Sequence, residues 1–256
     1  MEKVIGITGH RGAGKTTVAW LLGNCINNLL NKQKITKEAY KLWVDKIVSY
    51  ERVVFESDLD YIYFDSFQDT LLNVIWQLTG IPYSDMVDDH KKDNMVVNLK
   101  NFDYCSIEEN IHPITAKELL NENMGRGIHP IEQDQWMLLR DFIIYFGHDV
   151  MKRFFGENVW VKALLKSPVY ENGFSRTEWA IFVDTKTRAE QQYILDHGIL
   201  INVVRNGNHK VDSEITSQNN DILEHCEYEI VITDDLMDTY KVIPDMAADI
   251  LKKFNK

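Results

Sequence analysis

The residues richest in chemistry stand near the start of the chain. Gly9-His10-Arg11-Gly12-Ala13-Gly14-Lys15-Thr16 fits the spacing G-x-x-x-x-G-K-[ST] at every fixed position, and Thr17 follows. Glycines let the backbone curl tightly, so that successive N–H groups face inward as a nest for phosphate oxygens. The positive end of a following helix would face the same anion. Lys15 then has the reach for β- and γ-phosphates, and the Thr16 hydroxyl is placed to ligate Mg²⁺. The expected contacts of ATP are therefore Gly9, Arg11, Gly12, Ala13, Gly14, Lys15, Thr16 and Thr17. A glycine-rich turn can match this pattern by accident. Here Val4-Ile5-Gly6-Ile7 leads in like a strand, and apolar residues at helical spacing follow, which is the context the motif needs.

Further along, two aspartates close apolar runs: Asp65 after Tyr61-Ile62-Tyr63-Phe64, and Asp184 after Ala180-Ile181-Phe182-Val183. Ligands of open α/β sheets bind beyond the carboxyl ends of strands, so both aspartates are candidates for the site. Either could support Mg²⁺ through a water, and Asp184 is the stronger candidate. The plain alternative is that a strand-end aspartate caps the next helix. Phosphoryl transfer also needs positive charge on the transferred group and the acceptor. Arg11, Arg140, Lys152, Arg153, Lys186, Arg188 and Arg205 can supply it, with Arg126 or Arg205 as a mobile cation. Arg140 is singled out because Leu138, Leu139, Phe142 and Ile143 flank it, and a guanidinium in so apolar a stretch tends to hold a carboxylate or phosphate. Trp160 and Tyr145 could stack on a base, although aromatics at helical spacing more often fill a core.

These residues must be carried by strands and helices in alternation. Helical spacing covers Thr17 to Leu30, Lys37 to Tyr50 and Phe67 to Leu78; strands are expected at 53–55, 61–64, 179–183, 199–204 and 229–233. Residues 187–196 and Met237 to Phe254 read as helices, as do a short piece at Ile114 to Asn121 and another at Asn158 to Leu165. Ile131 to Phe155 reads as a long helix broken near Gly147. The order predicts an α/β fold, a mostly parallel sheet flanked by helices as in P-loop NTPases. A single domain over 1–256 is expected, with an insertion at about 83–130 that is either a helical substrate-binding segment or a long surface connection, and Gly125-Arg126-Gly127 as a loop within it.

Composition narrows the class. Hydrophobic residues at 45% and charged residues at 26% are ordinary for a globular protein. With 28 Lys and Arg against 39 Asp and Glu, the net charge of −11 argues against a long nucleic acid as partner. Cys25, Cys105 and Cys226 match neither a metal nor a disulfide pattern. No apolar run approaches the roughly 18 residues that span a bilayer, so no membrane partner is expected. The chain starts on a strand rather than a signal peptide, and a cytoplasmic location is expected. A homodimer is an open option.

Taken in order, the motifs resemble the deoxynucleoside monophosphate kinase family of bacteriophages and some bacteria. Gly9 to Thr16 matches its phosphate loop. Tyr63-Phe64-Asp65-Ser66-Phe67-Gln68, with Leu78-Thr79-Gly80-Ile81-Pro82 after it, is similar to the family's F-A-D-P-L-K and L-T-G-[IL]; Gln68 replaces the lysine. Leu139 to Val150 is similar to R-E-L-L-Q-x-x-G-T-D-V, keeping Arg140, Gly147 and Asp149, with His148 in place of threonine and Trp160 at the expected interval. Phe182 to Glu190 resembles D-V-R-F-P-N-E, keeping Asp184 and Glu190, with Lys186 at the arginine position and the F-P-N core absent. The resemblance implies a P-loop kinase that moves the γ-phosphoryl of ATP, with Mg²⁺, to a deoxynucleoside monophosphate. It implies that Arg140 and Lys186 hold the acceptor phosphate, Trp160 and Asp65 line the substrate site, and Asp184 with Glu190 organises it. Lysine at 186 loses the bidentate fork of arginine, which leaves room for altered substrate choice. Two other functions fit the same loop: a P-loop kinase of another small acceptor, and a nucleotide-binding sensor without turnover.

Overall fold

The computed structural model describes residues 3–10, 12–49, 59, 61–99, 101–106, 136–166, 179–206 and 225–254. Eight strands occur among them: β1 (Lys3–Gly9), β2 (Ile62–Asp65), β3 (Met95–Asn98), β4 (Tyr104–Ser106), β5 (Trp136–Leu138), β6 (Trp179–Phe182), β7 (Gly198–Arg205) and β8 (Tyr228–Ile232). The chain divides into two compact units, one of residues 1–67 with 161–256 and the other of residues 68–160.

The first unit is an α/β layer structure. Its sheet has the order β2-β6-β1-β7-β8, and every pairing is parallel. The strands are apolar runs because both faces are covered. Ile5, Ile7, Ile181, Ile199 and Ile201 point to one face, against Val18, Leu21, Leu22 and Ile26 of α1 (Lys15–Leu30) and Met246 and Ile250 of the closing helix Ile243–Phe254. Val4, Ala180, Phe182 and Leu200 point to the other, against Ile194 of the helix Arg188–His197 and Val161 and Leu164 of the helix Val159–Leu165. α2 (Lys37–Ser49) joins the first face through Tyr40, whose hydroxyl lies 2.7 Å from Thr239 Oγ1 in the 3₁₀ turn Leu236–Lys241.

The consequence for a site lies in the connections. From β1 the chain turns into α1 on one face, whereas from β6 it turns into Arg188–His197 on the other. β1 and β6 are neighbours, so a crevice opens between their carboxyl ends, the place where open α/β sheets bind ligands.

The second unit has its own core of Leu72, Ile75, Ile81, Met86, Val97, Met137, Leu139, Phe142 and Ile143. It contains most of α3 (Phe67–Thr79), then α4 (Tyr83–Val87) and α5 (Asp89–Asn94), and an antiparallel sheet of order β4-β3-β5. Of the two expectations for the stretch from Tyr83, a plain surface connection is corrected: α4, α5 and two strands, Met95–Asn98 and Tyr104–Ser106, occur there. The long helix expected from Ile131 is also corrected: Trp136–Leu138 is a strand pairing with Val96 to Asn98. Helix begins at Leu139 and passes through a π-helical segment, Tyr145–Lys152, about Gly147. A Cβ on Gly147 would lie 2.7 Å from Leu71 Cδ2, so the glycine lets α3 pack there. The unit runs from 68 to 160, wider than the expected insertion at 83–130, and its sheet means that it is not purely helical. The expected strand at 53–55, the helix at 114–121 and the Gly125-Arg126-Gly127 loop lie outside the described residues. Among the described residues no helix is long and apolar enough to cross a membrane.

Candidate functional site

The loop between β1 and α1 has the curvature its glycines predict. Gly9 has φ 140°, and a Cβ there would sit 2.2 Å from the backbone oxygen of Val203, so the close approach of β1 and β7 requires glycine. Gly14, the residue before α1, is left-handed at φ 93°. Ala13 N–H donates to the His10 carbonyl at 3.1 Å and tightens the turn. α1 is 16 residues long, with no side-chain cap at its start and no acidic residue in its first turn. The positive end of the helix dipole therefore meets no acidic side chain of the first turn.

Lys15 is buried and is held within the unit by two hydrogen bonds and one ion pair. Its Nζ donates to the carbonyls of Gly9 at 2.9 Å and His10 at 2.7 Å, and lies 3.2 Å from Asp184 Oδ1. Asp184 follows β6, the strand beside β1, and so the fold joins two residues far apart in sequence at the mouth of one crevice. Burial lowers the Lys15 pKa, and the Asp184 carboxylate offsets only part of that. For Asp184, burial opposes ionisation, but the Lys186 and Lys15 ammoniums outweigh it and hold the carboxyl below the usual aspartate value. Asp184 Oδ1 is buried and has no aligned hydrogen bond, only the ion pair.

The turn after β6 is fixed from several sides. Asp184 is left-handed at φ 65°, Thr185 N–H donates to the Ile7 carbonyl at 2.9 Å, and Lys186 Nζ reaches Asp184 Oδ2 at 2.6 Å. Glu190 Oε2 accepts from the N–H groups of Lys186 at 2.8 Å and Thr187 at 2.9 Å, while Thr187 Oγ1 accepts from Glu190 N–H at 3.3 Å. This is a capping box on the helix Arg188–His197. Glu190 thus organises the turn that carries Asp184 and Lys186. Its partner Thr187 was readable as T-x-x-E. The buried set of Thr8, Thr185 and Gln191 was not: Gln191 Nε2 donates to Thr8 Oγ1 at 3.0 Å, behind the turn.

Asp65 closes β2, next to β6. Its Oδ1 accepts from Ser66 N–H at 2.7 Å and its Oδ2 from the Tyr63 hydroxyl. The Ser66 bond is to the next residue, ahead of the helix Phe67–Thr79, and is not a helix cap. Arg205, at the end of β7, rests on the loop: it lies 3.4 Å from the Gly12 carbonyl and 3.8 Å from Asp234. Thr16 is exposed, and Arg11 and Arg126 lie outside the described residues.

The second unit holds the other two expected residues. Arg140 pairs with Asp93 through Nε and Nη2, the latter at 2.9 Å, and reaches Asp89 Oδ1 at 3.3 Å. The fixed partner predicted for this guanidinium is thus a pair of carboxylates. Trp160 is 5% exposed, and its indole N–H donates to the Gly147 carbonyl at 3.1 Å. Lys152 is buried beside Glu157 at 3.4 Å.

The residues of the first unit fit a bound Mg²⁺. Mg²⁺ takes one or two protein oxygens and fills its shell with water and phosphate, so no cage is needed. The exposed Thr16 hydroxyl and the Asp184 carboxylate are oxygen donors of the kind it uses. Among the described residues no group of three His, Cys, Asp or Glu could hold a metal by itself. No protein-family model matches the chain, and no curated protein matches it.

Proposed function

We propose that the chain is an ATP-dependent kinase of a deoxynucleoside or nucleoside monophosphate, with a P-loop fold in its first unit. The observation that carries the donor half is the meeting of Lys15 and Asp184 at 3.2 Å, at the carboxyl ends of adjacent parallel strands whose connections leave on opposite faces. In this reading the loop N–H groups and the start of α1 hold the phosphates. Lys15 leaves the Gly9 and His10 carbonyls for the β- and γ-phosphates. Thr16 and Asp184 hold Mg²⁺, which when bound neutralises the charge of the phosphate oxygens. Arg205, already on the loop rim, is the available mobile cation.

The acceptor half rests on the resemblance, which implies Asp65, Arg140, Trp160, Asp184, Lys186 and Glu190. Small-molecule substrates and a cytoplasmic place of action belong to the same reading. A second reading, nucleotide binding without turnover, is favoured by one observation: Arg140 and Lys186 are each engaged by carboxylates of their own unit. A coupled assay with MgATP and a panel of nucleoside and deoxynucleoside monophosphates separates the two. ADP release that depends on one monophosphate supports the kinase. Thermal stabilisation by ATP, lost in Lys15→Ala, with no product from any acceptor, supports the sensor.

A further inference from the structure

Asp184 carries two ammoniums, one on each oxygen. Oδ1 faces Lys15 at 3.2 Å and Oδ2 faces Lys186 at 2.6 Å. Two positive charges on one carboxylate leave the cluster net positive. Such a cluster favours a triphosphate and opposes a divalent cation. For a metal to use Asp184, one ammonium has to withdraw. Lys15 is held by two backbone carbonyls and its side chain is 9% exposed. Lys186 has a side chain 53% exposed on a flexible stem, so water can take the place of Asp184 at its ammonium. Its backbone stays fixed meanwhile, since Glu190 Oε2 holds its N–H at 2.8 Å and Thr185 N–H is bonded to Ile7.

We propose that Lys186 is a built-in counter-cation of Asp184, standing 2.6 Å from Oδ2 until a divalent metal replaces it and frees its ammonium for a phosphate. This rests on the nucleotide-binding reading above and adds to it a regulation of the metal step. Lys186 is then a positioning residue with two states, and metal arrival is coupled to the release of a positive charge. Without metal, Lys186 keeps the Asp184 carboxylate from repelling the incoming phosphates.

The test uses the whole chain with ADP bound, so that no turnover occurs, and Mn²⁺ as the probe, titrated by the loss of its free electron paramagnetic resonance signal. Lys186→Met is expected to tighten Mn²⁺ binding about threefold to fivefold, because a partly exposed ion pair no longer competes. Lys186→Arg keeps the charge and holds Asp184 with a fork, and it should bind Mn²⁺ no more tightly than wild type. In an Asp184→Asn background, Lys186→Met should change Mn²⁺ affinity less than about twofold; a general field effect of the lysine would persist there. Unchanged Mn²⁺ affinity in Lys186→Met, or equal tightening in the Asp184→Asn background, overturns the inference while leaving nucleotide binding intact. A wild-type protein that binds no ADP overturns the nucleotide reading, and this inference with it.

Discussion

Replacing Asp184 by Asn tests the centre of the site with little disturbance of its backbone. Residue 184 has φ 65°, which asparagine tolerates better than most residues, so the change removes charge and not shape. The Lys186 pair is half exposed at the lysine and contributes at most about 1 kcal/mol. The Lys15 pair is more enclosed, with side chains 9% and 23% exposed. Breaking a fully buried pair costs about 3–5 kcal/mol. Lys15 keeps the Gly9 and His10 carbonyls, so the low end of that range applies, and with the Lys186 pair the total expected loss is about 3–4 kcal/mol. Asp184→Ala should lose a further ~1 kcal/mol, because alanine is strained at positive φ. Urea denaturation at neutral pH without nucleotide measures both. The Asp184 pKa is depressed, so its contribution is present above the ordinary aspartate value of 3.8 and is lost as pH falls through the lower folded value. Wild type and Asp184→Asn should therefore converge below that value. An Asn variant within about 0.5 kcal/mol of wild type at neutral pH would refute the pairing with Lys15.

Three further outcomes are expected. The Lys15 pKa is lowered, so ATP affinity should be constant on the acid side and begin to weaken, as pH rises, below the ordinary lysine value of 10.5; calorimetric titration across alkaline pH reads this, and Lys15→Met should abolish the dependence with the binding. Glu190→Ala frees the Lys186 and Thr187 N–H groups and should cost about 1–2 kcal/mol in urea denaturation, whereas Glu190→Gln keeps an acceptor oxygen and should cost less than half as much. Gly9→Ala places a methyl against the unyielding Val203 carbonyl and should cost about 3 kcal/mol or prevent folding, seen as a lowered or absent thermal transition.

Much of the crevice around Lys15 and Asp184 was legible because its signals are local. The loop motif needs only its own spacing, and β1, β6 and β7 announce themselves as apolar runs that a sheet covered on both faces must have. Asp65 and Asp184 were placed by standing just beyond such runs. The sheet of the second unit was not legible. β3 has four residues and follows the charged helix α5, while β5 has three, Trp136 to Leu138, spaced so that Leu139, Phe142 and Ile143 continue them as a helix. Strands that short carry too few alternations to show a period of two. The contact of Lys186 with Asp184 was hidden for another reason. It is made across a turn in which Asp184 is left-handed, a conformation that an aspartate permits and does not announce. The carboxylates that hold Arg140, at positions 89 and 93, lie in another stretch of chain, and pairing over that separation has no sequence signature.

In the proposed reaction the loop around Lys15 holds ATP while its γ-phosphoryl passes to a nucleoside monophosphate. The most direct measurement is transfer of label from γ-labelled ATP, with Mg²⁺, to a mixed set of nucleoside and deoxynucleoside monophosphates, by wild type and by Lys15→Met. Label is expected in a nucleoside diphosphate with wild type and not with Lys15→Met. Wild-type protein that binds ATP yet leaves every monophosphate unlabelled would contradict the proposed reaction.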